Sequence, residues 1–344
     1  LFFLMIRRPP RSTQGVSSAA SDVYKLQMLK RKNIIQICTR GSPLALVQAE
    51  KVQRLVKQRN LLSKKPYSFE LLPIETSADR FSQKPLYQIG GKALFTKEID
   101  KALLTKKINI AVHSLKDIPT IMPSGLQIAC VLKRENPKDI LICNTEKNLK
   151  TLKKGARVGT SSVRRIAQVL NVRPDLKIKS LRGNIGTRIK NLYSGKYDAI
   201  LLALAGVKRL GITPRNSNTL PISTILPAAG QGVIAVVCRK NDVQMQRILR
   251  NINHLDTEKC VVAERSFLAA LGGSCQSPIA ALARFNSKRS FLFDGLVSKL
   301  MGREMHRVQM ISKKSISIGE ARIIGRRAAK EIKIHMGKNF FDNM

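Results

Sequence analysis

From Ile34 onward, short apolar runs alternate with segments whose apolar residues recur at helical spacing, and few folds accommodate that order. IIQIC reads as a strand, and SPLALVQAEKVQRLVKQR as a helix with Ser42 placed to cap it and Pro43 in the first turn. FELLPIE is a second strand, TKEIDKALLTKK a helix and INIAVHS a buried strand; LQIACVL and DILIC follow as strands. Near Pro137 a second set opens. Its strands ARVG, KIKSL and DAILLA alternate with helices SVRRIAQVL, NIGTRIKNLYSG and LAGVKRLG. VIAVVC reads as one more strand, by which the chain returns to the first set. Such alternation predicts α/β domains with mainly parallel sheets and ligands beyond the carboxyl ends of the strands.

After His254 the pattern changes. DTEKCVVAERSFLAAL is an amphipathic helix; strand-like IAALARF and FLFDGLV follow, then a helix near Ile318–Ile332, which makes a small α+β domain. A length of 344 residues suits two or three domains. The expected division is 34–132 plus 233–250 for the first, 138–226 for the second and 254–338 for the third. Between Thr76 and Lys92 a Gly90-Gly91 pair and the lack of any period predict a mobile loop. The first 27 residues, Arg/Ser-rich and without period, read either as an organelle transit peptide or as translated adapter or vector sequence. The folded protein is taken to begin at Met28, with residues 1–33 set aside as a leader. No run approaches the roughly 18–20 apolar residues of a membrane span.

Of six cysteines, Cys38, Cys130, Cys143 and Cys238 sit inside apolar strand-like runs, where a thiol is a small buried hydrophobe. With no CxxC pair and no Cys/His ligand spacing, the sequence points to a reducing, cytosol-like compartment and to no metal. The localisation expected is cytoplasmic, with organelle import only if the leader is a genuine transit peptide. The formal charge of +40 would suit a nucleic-acid binder taken alone. The lysines are scattered, however, and aromatic RNA-binding motifs are missing, so compositional bias is the favoured cause and no nucleic-acid partner is expected.

Charged residues cluster just after the strands. His113-Ser114-Leu115-Lys116-Asp117 ends a buried strand on an ion pair, which is either a solvated turn or a cleft carboxylate fit for general-acid work. GTSSVRR, Gly159 to Arg165, places Ser162 and two arginines at a strand-to-helix turn, where backbone N–H groups and planar guanidinium forks suit an anion. SLRGNIGTR repeats the design with Arg182 and Arg188, and Thr39-Arg40-Gly41-Ser42 does so again. One such arginine is usually a surface charge; three strand ends of this kind imply a ligand with several carboxylates or phosphates. Cys275 stands apart in the glycine-rich GGSCQSP, where its thiol can reach a ligand. A Cys-His protease pair is an alternative, although none of His113, His254, His306 and His335 lies in a partner motif.

In order and spacing, TRGSPLALVQAE, GGKALFTKEID, IAVHSLKDIPT, VGTSSVRR, SLRGNIGTR, YDAILLALAGVKRLG, LPAAGQG and GGSCQSPI closely resemble the porphobilinogen deaminase (hydroxymethylbilane synthase) family from Ile34 to about Val297. The resemblance implies two periplasmic-binding-protein-like α/β domains around a cleft, plus a small α+β domain carrying a cofactor cysteine. It implies a transferase of tetrapyrrole biosynthesis, monomeric, with porphobilinogen as substrate. By motif, Cys275 would hold a dipyrromethane by a thioether, and Asp117 would be the catalytic carboxylate that stabilises a cationic azafulvene, with Lys116 beside it. Ser162, Arg164, Arg165, Arg182 and Arg188 would join Lys116 and Asp117 in holding the cofactor. Arg40 and Ser42, again with Arg182 and Arg188, would hold substrate. One departure is Ala78 where the family has glycine in T-x-G-D; if that position needs positive φ, alanine strains it.

Two rivals make different demands. A solute-binding protein would need neither Asp117 nor Cys275, and a nucleic-acid binder would show salt-dependent affinity. If the charge is compositional, duplex DNA should bind weakly, without sequence preference, and release by moderate salt in a filter or gel-shift titration. Tight, selective binding at physiological salt would overturn that reading.

Overall fold

The computed structural model describes residues 34–60, 67–77, 95–146, 148–273, 277–312 and 315–337. The first sheet has the order β2-β1-β3-β10-β4, from Ser68–Ile74, Ile34–Arg40, Ile110–Ser114, Ile234–Arg239 and Leu126–Val131. The second has the order β7-β6-β8-β5-β9, from Lys177–Lys179, Arg157–Gly159, Ala199–Ala203, Asp139–Cys143 and Ser217–Thr219. A third, three-stranded sheet is antiparallel: β11 (Ile279–Phe285), β12 (Phe291–Ser298) and β13 (Met305–Ser312).

The eight helices named here are α1 (Pro43–Asn60), α2 (Lys97–Leu104), α3 (Val163–Val172), α4 (Ile185–Tyr193), α5 (Leu204–Arg209), α6 (Val243–Arg250), α7 (Leu255–Ala270) and α8 (Ile318–Met336). Both large sheets are covered on two faces, which is why their strands read as continuous apolar runs. In β1, Ile37 enters one core and Cys38 the opposite one; in β8, Leu201 and Leu202 divide in the same way. The third sheet packs Phe267 of α7 and Ala328 of α8 against Phe291 and Phe293.

The sheets are mixed rather than mainly parallel. β1 runs parallel to β2 and β3, and β6 to β7 and β8, whereas β10 is antiparallel to β3 and β4, and β5 to β8 and β9. The cause is the path of the chain. β1, β3, β6 and β8 end at the cleft between the sheets. β5 and β10 arrive from the opposite sheet and therefore begin there. The strands β9 and β13 and the helix α6 go unread in the sequence.

The chain crosses between the sheets twice, and the crossings lie side by side. Glu135 N donates to Gly232 O at 3.0 Å and Gln231 Nε2 to Pro137 O at 2.6 Å. This pairing explains the second glycine of LPAAGQG. Gly232 has φ +84°, and a Cβ there would lie 2.5 Å from Glu135 O. A Gly232→Ala change therefore meets both backbone strain and a backbone collision. It should lower unfolding stability by about 1–3 kcal/mol in a denaturant titration. Unchanged stability would mean that the crossings separate readily.

Candidate active site

The cleft holds a cavity of about 1000 Å³, and the strand ends supply its wall. β1 brings Arg40 and Ser42, β3 brings Ser114, Lys116 and Asp117, and the segment after β7 brings Arg182 and Arg188. Arg165 and Arg209 come from α3 and α5. Asp117 sits on a single 3-10 turn, Leu115–Asp117, whose first amide donates to Val233 O at 3.0 Å, so β10 fixes the turn from one side. Lys116 and Asp117 are half-buried on the cavity wall.

The deepest element of the site is a buried carboxylate. Asp139, the first residue of β5, is fully buried. It accepts from Arg165 Nη2 at 2.7 Å, Arg165 Nε at 3.2 Å, Arg164 Nη2 at 2.8 Å and Gln231 Nε2 at 2.9 Å. Burial opposes its charge, but the two guanidinium groups prevail and hold its pKa well below the usual carboxylate range. Arg165 also donates from Nη1 to Leu201 O at 3.0 Å and still reaches the cavity wall. Arg164 points away: its other fork nitrogen donates to Leu226 O at 2.6 Å, and it does not line the cavity. In this structure Arg164 therefore stands behind Arg165, off the cavity wall. Ser162 is likewise absent from the wall, standing at the N-cap position of α3 without a capping bond, and Ser161 lines the cavity in its stead.

The other cations of the wall are held differently. Arg188 uses Nε on Gly183 O at 2.8 Å, and no bond from its terminal nitrogens to described residues is seen. Burial, with Arg165 and Arg182 adding repulsion, pushes its pKa down to about 10. Burial also lowers the Arg182 and Lys116 values; around Lys116 the pull of Asp117 and Asp139 only partly offsets burial and the push of Arg165 and Arg188. Arg40 stacks over Phe95, its carbon 4.9 Å from the ring centre. Such a wall is electrostatically incomplete and would be stabilised by anions.

Three features escaped the sequence reading. Arg209 anchors on Gly232 O at 2.6 Å, and its position after a strand was a usable signal. Gln48 and Ser114 bond each other across the wall at 2.9 Å, a contact between residues 66 apart. Asp139 had only its place at the head of DILIC to announce it.

The five described cysteines, Cys38, Cys130, Cys143, Cys238 and Cys260, are buried and free. Burial raises all their thiol pKa values, Cys38 and Cys260 to about 12, so they are poor nucleophiles at neutral pH. Cys275 lies outside the described residues, as do Ala78 and most of the loop expected between Thr76 and Lys92. Among the described residues no helix is long and apolar enough to cross a membrane.

Asp139→Asn would leave two buried guanidinium groups facing a neutral amide. It should cost about 3–5 kcal/mol of unfolding stability, measured in urea at neutral pH. Because the folded-state pKa of Asp139 is depressed, its contribution is present above the ordinary aspartate range near pH 4 and is lost as pH falls below it. The gap between wild type and variant should therefore narrow in acid. A gap that is constant with pH would contradict the pairing.

Residues 35–247 match the family described as "Porphobilinogen deaminase, dipyromethane cofactor binding domain", and 258–334 match "Porphobilinogen deaminase, C-terminal domain". The chain is 46% identical over 269 residues to the porphobilinogen deaminase of Rickettsia prowazekii, covering 78% of this chain and 89% of that protein. It is 39% identical over 339 residues to the chloroplastic enzyme of Oryza sativa subsp. japonica, covering 98% and 94%. Among solved structures, the periplasmic VFT2 domain of Bordetella pertussis BvgS superposes with a TM-score of 0.39 at 12% identity, covering 67% of this chain and 91% of that one. Two consecutive matches that leave only the chain's ends and a short linker uncovered, together with relatives at 39% and 46% identity, carry the conclusion: the chain belongs to the porphobilinogen deaminase family.

Proposed function

We propose that the chain is a hydroxymethylbilane synthase, which condenses porphobilinogen units head to tail with release of ammonia and hydrolyses off the linear tetrapyrrole hydroxymethylbilane. The observation that carries this reading is the make-up of the cavity wall, whose described lining holds Arg40, Lys116, Arg165, Arg182, Arg188 and Arg209 with Asp117 and Glu75 as its acids. Each pyrrole unit brings two carboxylates, so a growing chain supplies the anions that such a wall lacks. The same excess of cations fits the family's dipyrromethane, which also carries carboxylates. Cys275 would hold that group by a thioether; when bound, it supplies the covalent anchor on which the chain is extended.

The roles of the chain's own residues follow from their places. Asp117, alone among acids at the end of β3, would offset positive charge at the substrate carbon losing ammonia and would accept pyrrole N–H groups. Lys116, adjacent to it, would hold a carboxylate and keep it from Asp117. Arg182 and Arg188 would grip acetate and propionate groups of cofactor and incoming substrate, with Arg40 and Ser42 on the facing wall. Arg165, rigid on Asp139, would give one fixed contact at low reorganisation cost, and Arg164 would hold Asp139 in place. The protein would act as a monomer. The inert buried thiols and the thioether suit a reducing, cytoplasmic setting.

Asp117→Asn keeps the shape but neither holds charge nor moves a proton. Its turnover of porphobilinogen should fall at least about 100-fold. The intact denatured mass should still show the pyrrole adduct. Cys275→Ser should lose that adduct while retaining the fold. Near-normal turnover of Asp117→Asn across pH would remove the carboxylate from its role. A bare polypeptide mass in active wild-type protein would remove the covalent cofactor.

A further inference from the structure

The turn bearing Asp117 is held from behind as well as in front. The three residues after it, Ile118, Pro119 and Thr120, point their carbonyls at one guanidinium of α7. Arg265 Nη2 donates to Pro119 O at 2.7 Å and Thr120 O at 2.9 Å, with Nη1 3.5 Å from Ile118 O. A second tie runs from the Thr120 hydroxyl to Gly273 O at 3.1 Å. Gly273 is itself set by the end of α7, its amide donating to Leu268 O at 2.9 Å, and a Cβ there would meet Ile279 at 2.5 Å. Gly273 stands two residues before Cys275 in the sequence.

Arg265 is half-buried, and its partners among the described residues are three carbonyls of one tripeptide. Arg134, also from the crossing region, meets Glu264 in a two-pronged ion pair at 2.7 and 2.8 Å. Arg265 has no carboxylate among the described residues, and burial pushes its pKa down to about 10, so it stays charged at neutral pH. Burying a guanidinium on neutral carbonyls alone forgoes the Coulomb attraction that offsets desolvation. All three carbonyls belong to one tripeptide, and a planar fork holds such a tripeptide in a single conformation.

We infer that Arg265 and Thr120 are positioning residues for Asp117, fastening its turn to the third domain at the segment that leads to Cys275. The inference rests on the proposed reading for the roles of Asp117 and Cys275, and on the hydrogen bonds alone for the fastening. Lysine at 265 cannot span the three carbonyls, valine at 120 removes the hydroxyl without changing size, and serine at 120 keeps it.

The test is carried out on the full chain with Arg265→Lys, Thr120→Val and Thr120→Ser. Backbone amide exchange should quicken in both the 115–122 and 268–273 segments of Arg265→Lys and Thr120→Val, and stay as in wild type in Thr120→Ser. The adduct mass should persist in all three. For turnover of porphobilinogen, kcat should fall about tenfold in Arg265→Lys and about threefold in Thr120→Val, with KM within about twofold and Thr120→Ser unchanged. Unchanged exchange in both altered segments, unchanged kcat in Arg265→Lys, or a rise in KM at constant kcat would overturn the inference. If wild-type protein forms no tetrapyrrole, the proposed function fails, and the exchange contrast alone decides whether the fastening exists.

Discussion

One carboxylate organises the cleft. Asp139 lies at the point where the chain enters the second sheet, and it binds Arg164 and Arg165 from α3 together with Gln231 from the return crossing. Three segments distant in sequence thus share one buried acid. Removing any of the donors leaves Asp139 less well compensated, because a buried charge depends on the completeness of its shell. The two crossings and the first turn of α3 are thereby fixed relative to each other, and Arg165 is presented to the cavity already oriented. A fixed guanidinium loses little further freedom when an anion arrives, so its contribution to binding is not spent on ordering.

The wall opposite this anchor has a different character. Burial lowers the pKa of Arg182, Arg188 and Lys116, and neighbouring cations add to it, Arg165 and Arg182 at Arg188 and Arg165 and Arg188 at Lys116. Folding alone does not relieve that repulsion. A polycarboxylate does, and each pyrrole added would bring its own pair of counter-charges into a low-dielectric space where they act strongly. The site is therefore better matched to a ligand that grows in charge than to a small neutral solute.

Much of this was legible beforehand because α/β folds place chemistry where strands end. Arg40, Lys116, Asp117, Arg182 and Arg188 could be named from apolar runs that stop at charged residues. Arg164 and Arg165 could not be told apart, since neighbouring helical residues differ by about 100° in direction and only the surrounding packing decides which one faces the cavity. Asp139 was hidden for another reason: its partners lie 25, 26 and 92 residues away, and no local pattern carries a contact of that span. The antiparallel entry of β5 and β10 was hidden likewise, because strand direction depends on which sheet the chain has just left. The motif reading supplied Cys275, whose role still rests on sequence.

The buried arginines differ in what completes them, and the difference tracks their work. Arg134 meets Glu264, whose oxygens also accept from the Gly230 and Ala283 amides at 2.7 Å, so its charge is balanced within the protein. The attraction of Glu264 outweighs burial and raises the Arg134 pKa. Arg165 is nearly closed by Asp139 but retains a face toward the cavity. Arg188 is open at its terminal nitrogens. The series runs from an arginine that only holds the fold together to one whose remaining donors point to a ligand, and it follows exposure to the cleft rather than position along the chain. Arg265 fits neither end, since its donors close on backbone carbonyls while its charge stays uncompensated. Lysine would leave most of those carbonyls unmet, and a neutral amide would span fewer of them. The planar, permanently charged fork is the side chain that meets all three at once, which is why an arginine is placed there despite its desolvation cost.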